Sequence, residues 1–152
     1  MWKFSIVTIV VLVCISTVVG IFYCLTLQKT LSRCSPQNRT LSPRLVWLYF
    51  IPIFSLVWHF FIVFNLTKSL HAEFVTRTMV EDSSPGLAIG LATCILEVVA
   101  VVTSPVPFVG LAVSVAGLIC WIVYWVKIAW YSDKIAVPYT APQQPSGPAP
   151  VA

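Results

Sequence analysis

Two side chains able to hold a proton lie inside apolar runs of this chain, His59 in the run 45–66 and Glu97 in the run 86–103. A carboxylate in the middle of a bilayer costs roughly 2.5–3.5 kcal/mol on insertion scales. Glu97 is therefore expected to face a partner, a cavity or another subunit, or to carry its proton. One chemistry on offer is a proton or cation site, with Glu97 as the carboxylate and His59 as the relay. The plainer expectation is a protonated Glu97 bonded to Ser114, to His59 or to a backbone carbonyl, which would only fix helix packing. Pro52, Ser55 and His59 fall on one helical stripe, at steps of three and four. His59 is also the candidate axial ligand for a haem or a chlorophyll, since aromatic residues surround it. A bis-histidine haem is disfavoured, because His71 would lie about 18 Å further along a helix. None of the five cysteines forms a C-x-x-C or metal-binding spacing. Four of them sit in apolar runs and read as reduced and structural. There is no nucleophile–base–acid set, no phosphate loop and no metal cluster, so the expectation is a protein that is not an enzyme and needs no cofactor.

The elements that must position His59 and Glu97 follow from composition. Hydrophobic residues make up 59% of the 152 and charged residues 9%, against about 25% charged in soluble domains. Lipid is the expected solvent for much of the chain. The expected fold is all-α, a transmembrane four-helix bundle over residues 1–134. Its spans run at about 4–27, 45–66, 86–103 and 107–131, followed by a proline-rich extended tail over 135–152. The first run is too long for the apolar core of a signal peptide and lacks a clear cleavage site, so it reads as a retained span. Pro52 should kink the second helix. That helix should run on past the bilayer or bend along its surface as an amphipathic piece, because Leu66, Leu70 and Phe74 keep a four-residue step. Ser84 reads as the N-cap of the third helix and Pro85 as its first residue. The link 104–107 is so short that helices three and four should form a tight antiparallel hairpin. Gly86, Gly90, Gly110 and Gly117 would let its helices approach closely.

The connectors carry the charge. Lys29, Arg33, Arg39 and Arg44 form a basic connector with no acid among them, suited to anionic lipid head groups at about 1 kcal/mol each. The net charge of +4 is local, and no basic surface of the kind that binds nucleic acid is present. Trp47, Trp121, Trp125, Trp130 and Tyr131 read as interfacial anchors, with Lys127 snorkelling beside them. Four spans would put both termini on one side. Four basic residues in the first connector against five on the opposite side, with only Lys3 before the first helix, weakly favour termini outside.

The stretches "CSPQNRTLSPRLVWLYFIPIFSLVWHFF" and "ICWIVYWVKIAWYSDKI" resemble patterns in small, uncharacterised bacterial multi-span membrane proteins. The likeness covers about a third of the chain. It implies a bacterial inner membrane and a multi-helix fold, and carries over no activity, ligand or residue role. The leading expectation is an accessory or scaffolding subunit that packs on other membrane proteins or on itself, with the tail as a docking strand. The rivals are a small proton- or cation-coupled transporter or channel using Glu97 and His59, and a pigment- or haem-associated subunit.

Overall fold

The computed structural model describes residues 2–51, 53–79 and 83–137. Pro52, Glu81, Asp82 and the tail from 138 onward lie outside the described residues. What is described is all helix and turn, without strands: α1 (Trp2–Arg33), a 3-10 segment (Pro43–Phe50), α2 (Phe54–Thr76), α3 (Leu87–Thr103) and α4 (Pro107–Lys134). Two stretches, Ile6–Arg33 of α1 and Phe108–Lys134 of α4, are long and apolar enough to cross a membrane. The apolar α3 is shorter, at 17 residues.

The largest departure from expectation is in the second apolar run, where a single kinked helix over 45–66 does not form. The run enters as the 3-10 segment, breaks at Ile51–Ile53, and leaves as α2. Ile51 is extended (φ −79°, ψ 113°), as a residue before proline should be. Ile53 is then forced to φ +67°, a conformation that costs a β-branched residue about 1–3 kcal/mol. The break reverses the chain. Along α1 and α2, Tyr23 meets His59 and Ser35 meets Glu73, so the two helices run in the same direction. Four successive crossings would have made them antiparallel.

The other pairings give the remaining directions. Thr26 meets Trp125 and Arg33 meets Ser132, so α4 also runs with α1. α3 runs against α2, with Gly90 beside Val63 and Glu97 beside His59. Gly117 faces Leu96 and Gly110 faces the Thr103 carbonyl across α3 and α4, the most extensively packed pair of helices. α3 begins two residues later than Ser84 and Pro85 suggested. Its N-cap is Gly86 in the left-handed region at φ +75°, a conformation glycine adopts without steric cost. As expected, α2 continues to Thr76, with Leu66, Leu70 and Phe74 all buried.

Burial is lopsided. Tyr23, Leu27, Leu31, Ile62, Leu66, Leu70, Tyr124 and Ile128 are fully buried, and all lie toward the end where α1, α2 and α4 finish and α3 starts. The opposite halves of α1 and α4 are exposed, from Ile6 to Val18 and from Phe108 to Leu118. The buried end is tied by Arg33, whose Nη1 donates to the Ser132 carbonyl (2.7 Å), Ser132 Oγ and Asp133 Oδ1 (both 2.9 Å). Asp133 is exposed at 76%, so its ion pair adds little and the bonds to Ser132 carry the tie.

Candidate functional site

His59 is fully buried on the inner face of α2, and both ring nitrogens are engaged. Nε2 lies 3.0 Å from the Tyr23 hydroxyl and Nδ1 lies 2.9 Å from Glu97 Oε2. The chain Tyr23–His59–Glu97 thus links α1, α2 and α3. With Glu97 ionised and His59 neutral, Nδ1–H donates to the carboxylate and the tyrosine O–H donates to Nε2. With one more proton on the pair, His59 donates at both nitrogens, or Glu97 donates its O–H to Nδ1 while Nε2–H donates to Tyr23. Each arrangement keeps both ring nitrogens of the buried His59 bonded.

Aromatic rings wrap the chain. Tyr49 meets His59 edge to face at 5.3 Å, and Trp121 and Trp125 sit 5.0 and 6.0 Å from the Tyr23 ring. Trp125 Nε1 donates to Thr26 Oγ1 at 2.9 Å. Glu97 differs from its partners in being 28% exposed, where His59 is at 0%. Its carboxyl lines a cleft of about 810 Å³ between the outer halves of α1, α3 and α4, together with Tyr49, Phe50, Ser114 and Trp121. The cleft is thus a mostly apolar space of ligand size, about 300–1,000 Å³, with a proton-holding group in its wall.

No known protein family, curated protein or solved structure matches this chain. The site is therefore read from its own geometry.

Glu97 takes His59 as its partner, one of the three options open from sequence. Ser114 lines the same cleft without a bond to Glu97 among the described residues. Ser55 stands apart, in the first turn of α2, its N–H donating to the Ile51 carbonyl. Because both nitrogens of His59 are bonded, a haem or chlorophyll metal on it would have to displace Tyr23 or Glu97. The described residues hold no cluster of three or more acid, histidine or cysteine side chains placed to bind a metal ion.

The aromatic belt needs correction. Tyr131 is buried against Phe74 at 5.5 Å, and Trp121 and Trp125 pack on Tyr23. A ring draws more stability from a core contact than from an exposed surface when α1 lies alongside α4. Trp130 and Trp47 do stay exposed. Lys134 lies over the Trp130 ring at 3.6 Å, and Lys127 is 5.8 Å from the Tyr131 ring. Trp47 donates to Gln28 Oε1 at 2.7 Å. The basic connector is also half consumed. Arg33 turns to Ser132, and Arg39 donates to the carbonyls of Ser32 and Cys34, while Lys29 and Arg44 are exposed.

Glu73 is the residue that sequence reading missed. It is one of the five acids of the chain, and its side chain is at 0% exposure. It accepts from the Ser35 N–H (2.9 Å), Ser35 Oγ (3.0 Å), Asn38 Nδ2 (2.9 Å) and Arg77 Nε (2.8 Å). Burial alone would raise its pKa. The bonds from Asn38, Ser35 and Arg77 outweigh that and hold the carboxyl below its usual range. Next to it, burial first and the Glu73 charge second push the Cys34 thiol up to about 12, which makes it unreactive. A usable signal was present: Glu73 stands three residues after Leu70 and seven after Leu66, on the buried face, and four before Arg77.

Proposed function

We propose that this chain is a non-enzymatic integral membrane protein in which α1, α3 and α4 cross the bilayer. The stretch 43–66 does not cross but dips in and returns. The parallel course of α1 and α2 supports this reading. So does charge: with this threading Lys29, Arg33, Arg39, Arg44, Lys68, Arg77, Lys127 and Lys134 all gather toward one face, opposite Lys3. Such a bias places that face in the cytoplasm and the N-terminus outside. The antiparallel α3–α4 hairpin is kept, with the link 104–106 outside. Gly20, against which Phe50 packs, stands about 11 Å along the helix below Leu27, so the dip reaches toward the bilayer middle. Irregular backbone at such depth is tolerated where it lines a cavity, and Phe50 and Leu56 line the cleft. A membrane-impermeant maleimide on intact cells should label a cysteine placed at Pro105 but not one placed at Gln37. Equal labelling of the two, which four crossings would give, defeats this threading.

The working part of the protein, in this proposal, is Tyr23–His59–Glu97, acting as a proton-holding site open to the cleft. The observation that carries it is the 2.9 Å contact between a fully buried imidazole and a carboxyl that remains partly open. A hydrophobic carbodiimide reacts with protonated carboxyls in apolar surroundings. It should modify Glu97 in native membranes, less as the pH rises, and should not modify the E97Q protein at that position. Modification confined to exposed acids such as Asp133 would sink the proposal.

A second reading, an accessory subunit, keeps one specific support: the exposed half of α1 from Ile6 to Val18. A lone monomer by native mass spectrometry after mild extraction would count against it.

A further inference from the structure

We propose that the cleft binds a lipophilic organic cation, and that binding releases one proton from the Tyr23–His59–Glu97 chain. This deepens the proton-holding reading of Glu97 and rests on it.

The ligand class follows from the lining. Glu97 is the only acidic or basic side chain among the residues that line the cleft, so an anion finds no lysine or arginine to pair with there. A small hydrated metal ion would find one carboxylate and no cluster of ligands. A neutral lipid tail would fill the apolar walls but leave Glu97 Oε1 without a partner, at a desolvation cost. A bulky cation with delocalised or shielded charge satisfies all three features. Its apolar body covers the walls from Leu12, Leu96 and Leu118, its charge is offset by Glu97, and the aromatic side chains of Tyr49, Phe50 and Trp121 line the same space. Glu97 bonds His59 through Oε2, and Oε1 accepts no bond among the described residues. One oxygen is therefore free for a ligand without breaking the relay.

The proton balance is explicit. In this proposal the empty cleft holds one proton beyond neutral imidazole plus carboxylate, which leaves the pair without net charge in its apolar surroundings. A bound cation supplies the positive charge instead. The extra proton leaves to bulk water, His59 stays neutral, and Glu97 is left as carboxylate against the ligand. The titratable groups near Glu97 are Tyr23 from α1, Tyr49 from the 3-10 segment and Cys94 from α3, with Cys24 from α1 beside Tyr49 and Tyr124 from α4 beside Tyr23. All have ordinary pKa values above neutrality as uncharged acids, so none supplies a competing charge near pH 7.

The test uses the full chain in lipid nanodiscs with tetraphenylphosphonium as probe and uncharged triphenylphosphine oxide as control. The cation should bind and the control should not. Affinity should rise with pH, by up to about tenfold per unit while the chain holds its proton, and a weakly buffered sample should acidify by one proton per cation bound. E97Q should weaken binding by about tenfold or more and abolish the pH dependence. Should E97Q fail to fold, Ser114→Phe carries the test. Ser114 is an exposed residue of the cleft wall, so a phenyl ring there should block the cation while Glu97 still reacts with carbodiimide. PH-independent binding, equal binding of the uncharged control, or undiminished binding to both variants overturns the proposal. If Glu97 is modified by carbodiimide but the cation neither binds nor protects it, the ligand assignment is wrong and the proton-holding site stands. If Glu97 is not modified at all, both fall.

Discussion

Replacing Glu73 with alanine should cost about 3–5 kcal/mol, the penalty for removing one partner of a buried pair. The deletion removes the acceptor of the Ser35 N–H and hydroxyl and one acceptor each of the Asn38 amide and the Arg77 guanidinium, which keep Thr76 Oγ1 and the Val137 carbonyl. Those groups hold the turn after α1 onto the end of α2, so the loss is concentrated where the bundle has its core. Arg77→Ala should cost less, because Glu73 keeps its bonds to Ser35 and Asn38. An SDS titration of helicity in mixed micelles measures both, and a Glu73→Ala cost under about 1 kcal/mol would contradict the burial assigned to the carboxylate. The pH dependence has a definite sign. The folded pKa of Glu73 lies below its ordinary 4.5, so between the two values the unfolded chain binds the extra proton. The stabilisation is complete above about pH 4.5 and is lost as the pH falls through the folded value. Glu73→Gln should flatten that acid limb relative to the wild type.

How far the molecule could be read from its residues varies with the kind of information each carries. The runs of α1, α3 and α4 were legible because a long uncharged stretch has few stable alternatives to a helix. The second run misled because apolar composition carries no direction. Leu45 to Leu66 is greasy throughout, and whether it crosses or returns depends on the backbone either side of Pro52. Ile53 at φ +67° leaves no mark in a hydropathy profile. The pairing of His59 with Glu97 was foreseeable, since two costly groups in adjoining helices each need a partner. Tyr23 was not, because a tyrosine in an apolar run costs little and so does not announce itself. The tryptophans of α4 fit both an interface and a core, and only the placement of Tyr23 and Phe74 decides between them. Charge bias became informative only once the chain direction was known. Counted for four crossings it is nearly balanced, and counted for three it is eight basic residues against one.

The four glycines that looked equivalent should separate sharply on substitution. A Cβ on Gly90 would lie 2.6 Å from Val63 Cγ1 and 2.9 Å from Tyr124 Cε2. Neither neighbour yields easily, for valine is stiff at χ1 and the Tyr124 ring is fully buried. Gly90→Ala should therefore cost about 1–3 kcal/mol despite alanine's better helix propensity. Gly117→Ala meets only Leu96 Cβ at 3.5 Å, ordinary contact, and should be neutral or gain up to about 1 kcal/mol. Gly110→Ala falls between, with the Thr103 carbonyl at 3.0 Å. Gly86→Ala is penalised for a different reason, its positive φ rather than crowding. Val63→Ala should restore much of what Gly90→Ala loses, giving a coupling of about 0.5–3 kcal/mol in a double-mutant cycle. Additive losses would mean that Val63 is not the obstacle. The cycle also reaches the site. Val63 is one helical turn from His59 and Gly90 two turns from Glu97, so pushing α3 off α2 at Gly90 lengthens the His59–Glu97 contact. Gly90→Ala should then change the pH at which carbodiimide stops modifying Glu97, and Val63→Ala should bring it back. Gly117→Ala, in the cleft wall itself but free of the clash, should leave that pH where it was.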